Sequence, residues 1–254
     1  MDLATRILCA NNGTFMFYLG QAGYILKSKS GQFLGVDLYL SDCVERVEGH
    51  IGFKRMLPKI LSPFDIKLDC IIATHPHLDH FDMDSIPELM ANGSTQLYSS
   101  VECRTLTDKL DMLQDNIHYV KPGYSAKVGD FSIEFVDCDH GEGASDAFGV
   151  VITVDGRKIY MAGDTCLRLD RVDDMKQRGP FDIVIGPING AYGNMNEKEF
   201  AVYSTSIGAK TIIPCHYGMF ACHGGNPGLF LEEMDNLQRK SSVYIMTMGE
   251  QISI

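Results

Sequence analysis

The segment Ile71-Ile72-Ala73-Thr74-His75-Pro76-His77-Leu78-Asp79-His80 runs an apolar stretch straight into three histidines and an aspartate within six positions. Neutral imidazoles and a carboxylate are the N/O donor set taken up by Zn²⁺, Mn²⁺ and Fe²⁺. A strand end projects such groups into a crevice where a cation keeps a position open for water. With 8 His in 254 residues, a chance His-x-His-x-Asp-His is expected roughly once in 1,500 such chains, so coincidence does not explain it. His75 and His77 are two apart, so an extended backbone turns both to one side. Asp79 and His80 are adjacent, so the turn after the strand aims them at a second point, which implies two metal centres. Two cations need more ligands than four side chains supply, and three further residues stand at the ends of apolar runs. His140 follows Phe131 to Val136, Asp164 follows Lys158 to Met161, and His216 follows Thr211 to Ile213.

The elements that must position these groups are legible as short apolar runs with turn chemistry between them. Strands are predicted at Phe15 to Leu19, Tyr24 to Leu26, Phe33 to Val36, Cys70 to Thr74, Phe131 to Val136, Val150 to Val154, Lys158 to Met161, Ile183 to Ile185, Thr211 to Ile213 and Val243 to Met246. Asp155-Gly156 predicts a hairpin turn. Helical periodicity covers Met83 to Ala91, Val101 to Leu113, Leu167 to Gln177, Glu197 to Ile207 and Gly228 to Arg239. Asn196, with Glu199 three residues on, predicts a capping box for the fourth of these. Early strands meander and later ones alternate with helices, which suggests two β-sheets face to face with helices outside, an α/β arrangement. No linker breaks the chain, so 1–254 reads as one domain. Leu38 to Pro63, the least regular stretch, reads as an excursion over the surface.

Composition narrows the partners. The formal net charge of −11 argues against nucleic acid, whose nonspecific binding rests on Lys and Arg neutralising phosphates. The longest apolar runs fall far short of the ~20 residues that span a bilayer. The N-terminal stretch has no features of a secretory signal, and the 8 cysteines are scattered without a Cys-x-x-Cys pair. The expectation is a reduced, cytoplasmic protein acting on a small molecule.

Taken in order, Asp37, His75-x-His77-x-Asp79-His80, His140, Asp164 and His216 resemble the five signature motifs of the metallo-β-lactamase-fold hydrolases. That resemblance implies a four-layer αβ/βα sandwich of two mixed β-sheets around a binuclear site. It places His75, His77 and His140 on one metal and Asp79, His80 and His216 on the other, with Asp164 bridging and Asp37 behind them, orienting a ligand. Leu61 to Ile66, Asp69 to His75, Gly163-Asp164-Thr165 and Ala191-Tyr192-Gly193-Asn194 look like the L-ascorbate-6-phosphate lactonase branch. This finer resemblance implies an anionic substrate such as a phosphorylated sugar lactone, a homo-oligomer and a lean toward Mn²⁺, whereas the wider superfamily leans toward Zn²⁺. Tyr192 and Asn194 are loop-tip polar residues that either touch substrate or serve the turn.

Two adjacent cations lower the pKa of the solvent between them from 15.7 toward ~7 and polarise a carbonyl. The reaction expected is hydrolytic opening of a lactone or related ester, with Asp79 as the catalytic residue that orients the nucleophile and moves its proton. A phosphodiesterase and a metal-dependent binding protein without turnover are the alternatives. A di-iron oxygen chemistry is disfavoured by His77, where an acidic residue would be expected. His50, His118 and His223 belong to no motif and read as surface or structural, although His223 follows His216 closely enough to approach substrate. Cys215 and Cys222 read as bystanders, and Lys54 and Arg55 as a solvated face.

Overall fold

Hydrophobic residues alternate strictly between two destinations along the central strands. In the segment 70–73, Cys70 and Ile72 face one core while Ile71 and Ala73 face another, so both faces of the strand are buried. A sheet of such strands needs cover on both sides, and the computed structural model, which describes residues 1–238 and 240–254, supplies it. The first half of the chain forms α1 (Leu3–Leu8), β1 (Phe15–Gly20), β2 (Gly23–Lys27), β3 (Phe33–Val36), α2 (Cys43–Glu48), β4 (Cys70–Ala73), α3 (Ser85–Met90), β5 (Gln96–Ser100), α4 (Arg104–Thr107) and β6 (Ile117–Val120). The second half forms β7 (Ser125–Val128), β8 (Phe131–Asp137), β9 (Phe148–Val154), β10 (Arg157–Met161), α5 (Val172–Arg178), β11 (Phe181–Pro187), α6 (Glu197–Ile207), β12 (Ala209–Cys215), α7 (Pro227–Asn236), β13 (Ser242–Val243) and β14 (Gln251–Ser253).

The strands build two seven-stranded sheets, ordered β14-β1-β2-β3-β4-β5-β6 and β13-β12-β11-β10-β9-β8-β7. Each is half meander and half crossover. β14 to β3 pair antiparallel and β3 to β6 parallel in the first; β7 to β10 pair antiparallel and β10 to β13 parallel in the second. Between the sheets lies the main core, where Tyr24, Leu34 and Ile72 meet Phe131, Phe148 and Ile152. Outside the first sheet, Ile7 of α1 and Ile86 and Leu89 of α3 pack on Phe17, Ile25 and Ile71. Outside the second, Met175, Phe200 and Phe230 from α5, α6 and α7 cover Tyr160, Val184 and Ile212. The expected four-layer sandwich of two mixed sheets flanked by helices is therefore present.

Local chemistry explains most boundaries. Asn196 accepts from Glu199 N–H while the Glu199 carboxylate accepts from Asn196 N–H, closing the predicted capping box. Asp155 and Gly156 both adopt positive φ, at 50° and 78°, as a two-residue turn between β9 and β10 requires. Asn226 caps α7, with Pro227 at its first position; Arg239, where that helix is expected to end, lies outside the described residues.

The helix expected over Val101 to Leu113 is shorter. A 3₁₀ turn at Val101–Cys103 leads into α4, which stops at Thr107, a buried residue hydrogen-bonded to the Tyr119 hydroxyl. Asp108 and Asp111 would also lie against the negative end of a longer helix. β5, β6, β7, β14, α1 and α2 were not among the predicted elements. The expected strand Val243 to Met246 shrinks to β13, which ends at Val243. The stretch Leu38 to Pro63 is more than a surface excursion, since Leu38, Tyr39, Cys43 and Val44 are buried and α2 lies within it. All eight cysteines are free. Among the described residues, no helix is long and apolar enough to cross a membrane.

Candidate metal centre

Every expected donor stands at, or just beyond, the end of a strand whose apolar residues anchor it. His75 lies two residues past β4, His140 three past β8, Asp164 three past β10 and His216 directly after β12. Facing strand ends of the two sheets thereby deliver their side chains to one place. Gly163 shows how tightly Asp164 is set: its φ is +69°, and a Cβ there would stand 2.8 Å from the Phe148 carbonyl oxygen, so no larger residue fits. Of the six non-glycine residues with positive φ among those described, Gln21, Asp37, Tyr192 and His216 gather around this point. Such clustering of left-handed backbone marks a site held in place by its surroundings.

Three imidazole nitrogens converge first. His75 Nε2 and His140 Nε2 lie 2.9 and 3.0 Å from His77 Nδ1. A second group lies beside them. His216 Nε2 is 3.3 Å from Asp79 Oδ2 and 3.3 Å from His80 Nε2, and His80 Nε2 is 3.5 Å from Asp79 Oδ2. Asp164 Oδ2 sits between the two, 3.0 Å from His216, 3.4 Å from His80 and 3.7 Å from His140. Donor atoms in each of the sets His75/His77/His140, His75/His80/Asp164 and Asp79/His80/His216 lie within 4.8 Å of one another. The sequence-predicted donors are thus brought together without exception.

The electrostatics of the cluster fit divalent cations. Burial pushes His75 well down and His140 down to about 4, leaving both rings neutral with lone pairs turned inward. Burial opposes the charges on Asp79 and Asp164, yet the neighbouring His80 and His216 hold both carboxyls below the usual carboxylate range. The same contact works in reverse: against burial, Asp164, Asp79 and Asp37 push His80 well up, while Asp164 and Asp79 bring His216 to about 9. Two buried carboxylates beside the neutral rings of His75 and His140 call for positive charge at this point. Protons on His80 and His216 meet part of that demand, and divalent cations would displace them. These His/Asp clusters are capable of binding metal.

Behind the donors, Asp37 does more than orient one of them. One of its carboxylate oxygens lies 2.9 Å from His80 Nδ1 and accepts from Thr74 Oγ1 at 2.8 Å, and the other accepts from Thr74 N–H at 2.8 Å. Thr74 Oγ1 stands 3.0 Å from His75 Nδ1, so Asp37 steers His80 directly and His75 through Thr74. Partners of this kind set ring orientation and tautomer. Asp37→Ala is expected to weaken metal affinity by about 10- to 100-fold while the sheets stay intact. Isothermal titration with Zn²⁺ and Mn²⁺ beside circular dichroism measures both, and unchanged affinity would refute the steering role.

Tyr192 and Asn194, paired in expectation, part company. Tyr192 lines the cavity above the cluster and is 56% exposed. Asn194 is corrected: it is buried, and its amide donates to Asp164 Oδ2 at 2.8 Å, so it holds a donor rather than facing substrate. His223, read as surface or structural although close enough to His216 to approach substrate, is half-buried at the site. Its ring stacks on His216 with centroids 5.0 Å apart, it lines the cavity, and burial pushes it down to about 4. Gln21 was not foreseen. Fully buried, its amide nitrogen donates to Asp79 Oδ2 at 2.7 Å and lies 3.0 Å from His216 Nε2. Proximity of both to His216 is produced by chain folding, and only the seven-residue spacing of His223 hinted at it.

The cavity over the cluster has a volume of about 240 Å³ and a floor formed by His77, Asp79, His140, Asp164, His216 and His223. Similar proteins share this framework. The chain is 27% identical over 255 residues to a UPF0173 metal-dependent hydrolase of Rubrobacter xylanophilus, covering 94% of this chain and 96% of that one. Igni18, a metallo hydrolase from the hyperthermophilic archaeon Ignicoccus hospitalis, superposes with a TM-score of 0.72 at 21% identity over 95% of this chain and 98% of that one. The metallo-beta-lactamase fold protein YhfI from Bacillus subtilis superposes at 0.71 and 18% identity over 96% of this chain and all of that one (100%). A family model, the beta-lactamase superfamily domain, matches residues 38–217, a span that runs from the residue after Asp37 to the one after His216, and the chain belongs to that superfamily.

Proposed function

We propose that this protein is a metal-dependent hydrolase that opens a lactone or related carboxylic ester of a small molecule, using two divalent cations held by the cluster. One observation carries the reading: His77, Asp79, His140, Asp164 and His216 of the converging donor sets line an open cavity, so most of the groups that would hold the cations also face whatever enters. His75, His77 and His140 would hold one cation and Asp79, His80 and His216 the other, with Asp164 reaching both. Bound there, Zn²⁺, Mn²⁺ or Fe²⁺ supplies Lewis acidity and solvent that loses its proton near neutral pH.

The rest of the chemistry belongs to the chain. Asp79 lines the cavity, and Gln21 holds its Oδ2, so its carboxylate is aimed at the floor. From that position it orients the attacking water, accepts its proton as the carbon–oxygen bond forms, and returns that proton to the leaving alkoxide as the ester bond breaks. His223, neutral beside His216, adds an imidazole at the rim of the same floor. The relatives named as metal-dependent hydrolases support this assignment of reaction class. The single domain over 1–254 and the homo-oligomer belong to the same reading.

Elemental analysis of protein purified without added metal, followed by a panel of esters, lactones and bis-p-nitrophenyl phosphate, tests the proposal. About two divalent ions per chain and turnover of carboxylic esters or lactones are expected. Activity on the phosphodiester alone would assign the site to phosphoryl transfer, and a metal-loaded protein inert on the whole panel would make it a binding protein.

A further inference from the structure

The walls of the cavity differ in kind from its floor. Val44, Ile51, Phe53, Leu78 and Tyr192 form them, and Glu48 is the one charged side chain lining the cavity outside the donor cluster among the described residues. Phe53 anchors an aromatic group, with ring centroids 5.5 Å from Tyr192, 5.5 Å from Phe220 and 5.4 Å from His223. Ile51 and Tyr192 leave apolar surface open at the mouth, at 60% and 56% exposure.

The cations nearby in sequence are committed elsewhere. Lys54 pairs with Glu45, Lys59 with Asp42, and Arg46 with Asp84. Arg55 donates to the Leu57 and Ser41 carbonyls and lies over the Tyr39 ring. All four line a separate groove.

From this lining we infer that the site selects an uncharged substrate whose non-reacting part is a short hydrocarbon group, and that Phe53 and Glu48 set the preference. The inference rests on the hydrolase reading and narrows its substrate class. A phosphate or carboxylate tail placed among these walls would meet no protein cation and would face the Glu48 carboxylate, and an unpaired charge is costly to desolvate. An alkyl or aryl group instead gains roughly fourfold in affinity for each CH₂ buried. The volume of about 240 Å³ leaves room for a short chain or one ring beside the reacting carbonyl. The phosphorylated sugar lactone implied by resemblance has no such complement here.

Matched pairs of probes decide the matter with metal-loaded full-length protein. p-Nitrophenyl butyrate is compared with p-nitrophenyl hemisuccinate, which carries a terminal carboxylate. γ-Hexalactone is compared with the same ring bearing a carboxylate at the end of its side chain. The uncharged member of each pair is expected to have the higher kcat/KM by about 100-fold, an order set by leaving one charge unpaired. Phe53→Ala should reduce kcat/KM for the butyrate about 30-fold, mainly through KM and at unchanged metal content, and Phe53→Leu should restore most of it. Glu48→Gln should narrow the charged-to-uncharged gap about tenfold. A gap near one, or an inverted one, overturns the inference while leaving the hydrolase reading standing. If nothing is hydrolysed, calorimetric binding of γ-hexalactone and its carboxylated partner still decides. Binding of the uncharged lactone alone supports the inference, and tighter binding of the anion, or no binding of either, overturns it.

Discussion

Asp79→Ala is expected to cut turnover of whichever substrate of the panel is hydrolysed by about 10²- to 10⁴-fold, the range that a positioned proton-transfer group supplies. The residue combines two roles. Its Oδ2 belongs to the donor group with His80 and His216, and it also lines the cavity, unlike His75 and His80, which are buried behind. The substitution should therefore weaken one metal and leave the His75/His77/His140 set loaded. Asp79→Asn keeps the shape and an oxygen for the Gln21 amide but loses both the proton acceptor and the anionic donor, so its turnover is read against its metal content. Steady-state kinetics with metal content measured on the same samples checks both variants. Turnover at the unaltered level in Asp79→Ala would remove this residue from the reaction.

Chelation is expected to abolish turnover and to lower the thermal midpoint. A cation present at 1,000 times its dissociation constant stabilises the folded state by about 4 kcal/mol, a large part of the 5–15 kcal/mol typical of a domain. The metal-free protein should also acquire a distinctive pH profile. Its His216, raised to about 9 by Asp164 and Asp79 against the effect of burial, binds its proton more tightly folded than unfolded. That stabilisation is complete below the ordinary value of 6.5 and is lost as pH rises through about 9. His140 and His223 behave oppositely. Burial pushes both to about 4, so unfolding releases them to take up protons, and stability falls as pH drops from 6.5 toward 4. The depressed carboxyls Asp79 and Asp164 lose their contribution only below the ordinary value of 3.8. Metal-free protein should therefore melt highest near pH 6.5, and loaded protein should lack the decline above it. Melting scans across pH with and without chelator measure this, and a metal-free midpoint that climbs from pH 6.5 to 9 contradicts it.

The donors were legible because metal chemistry restricts residue types and because each donor ends an apolar run. The backbone geometry of β4, β8, β10 and β12 then does the positioning. Asn194 misled because a polar loop residue beside Gly193 has the same sequence appearance whether it faces solvent or a buried carboxylate. Gln21 and His223 were hidden for a related reason: their contacts to His216 span 195 residues of chain in the first case and a returning loop in the second. Among the elements, strands that carry an apolar run were plain, whereas β5, although buried, ends in two serines, and β7 alternates exposed and half-buried residues at a sheet edge. α2 was obscured by the mixed charge of its six residues, of which only Cys43 and Val44 are buried.

The cavity wall from Val44 to Phe53 is one continuous stretch between β3 and β4, while the floor is assembled from strand ends of both sheets. Apart from Leu78 and Tyr192, the wall and the donors thus come from separable pieces of the gene. Replacing residues 43–53 with loops of other length and polarity offers a route to enzymes with new tastes in acyl group, each inheriting the same reactive machinery.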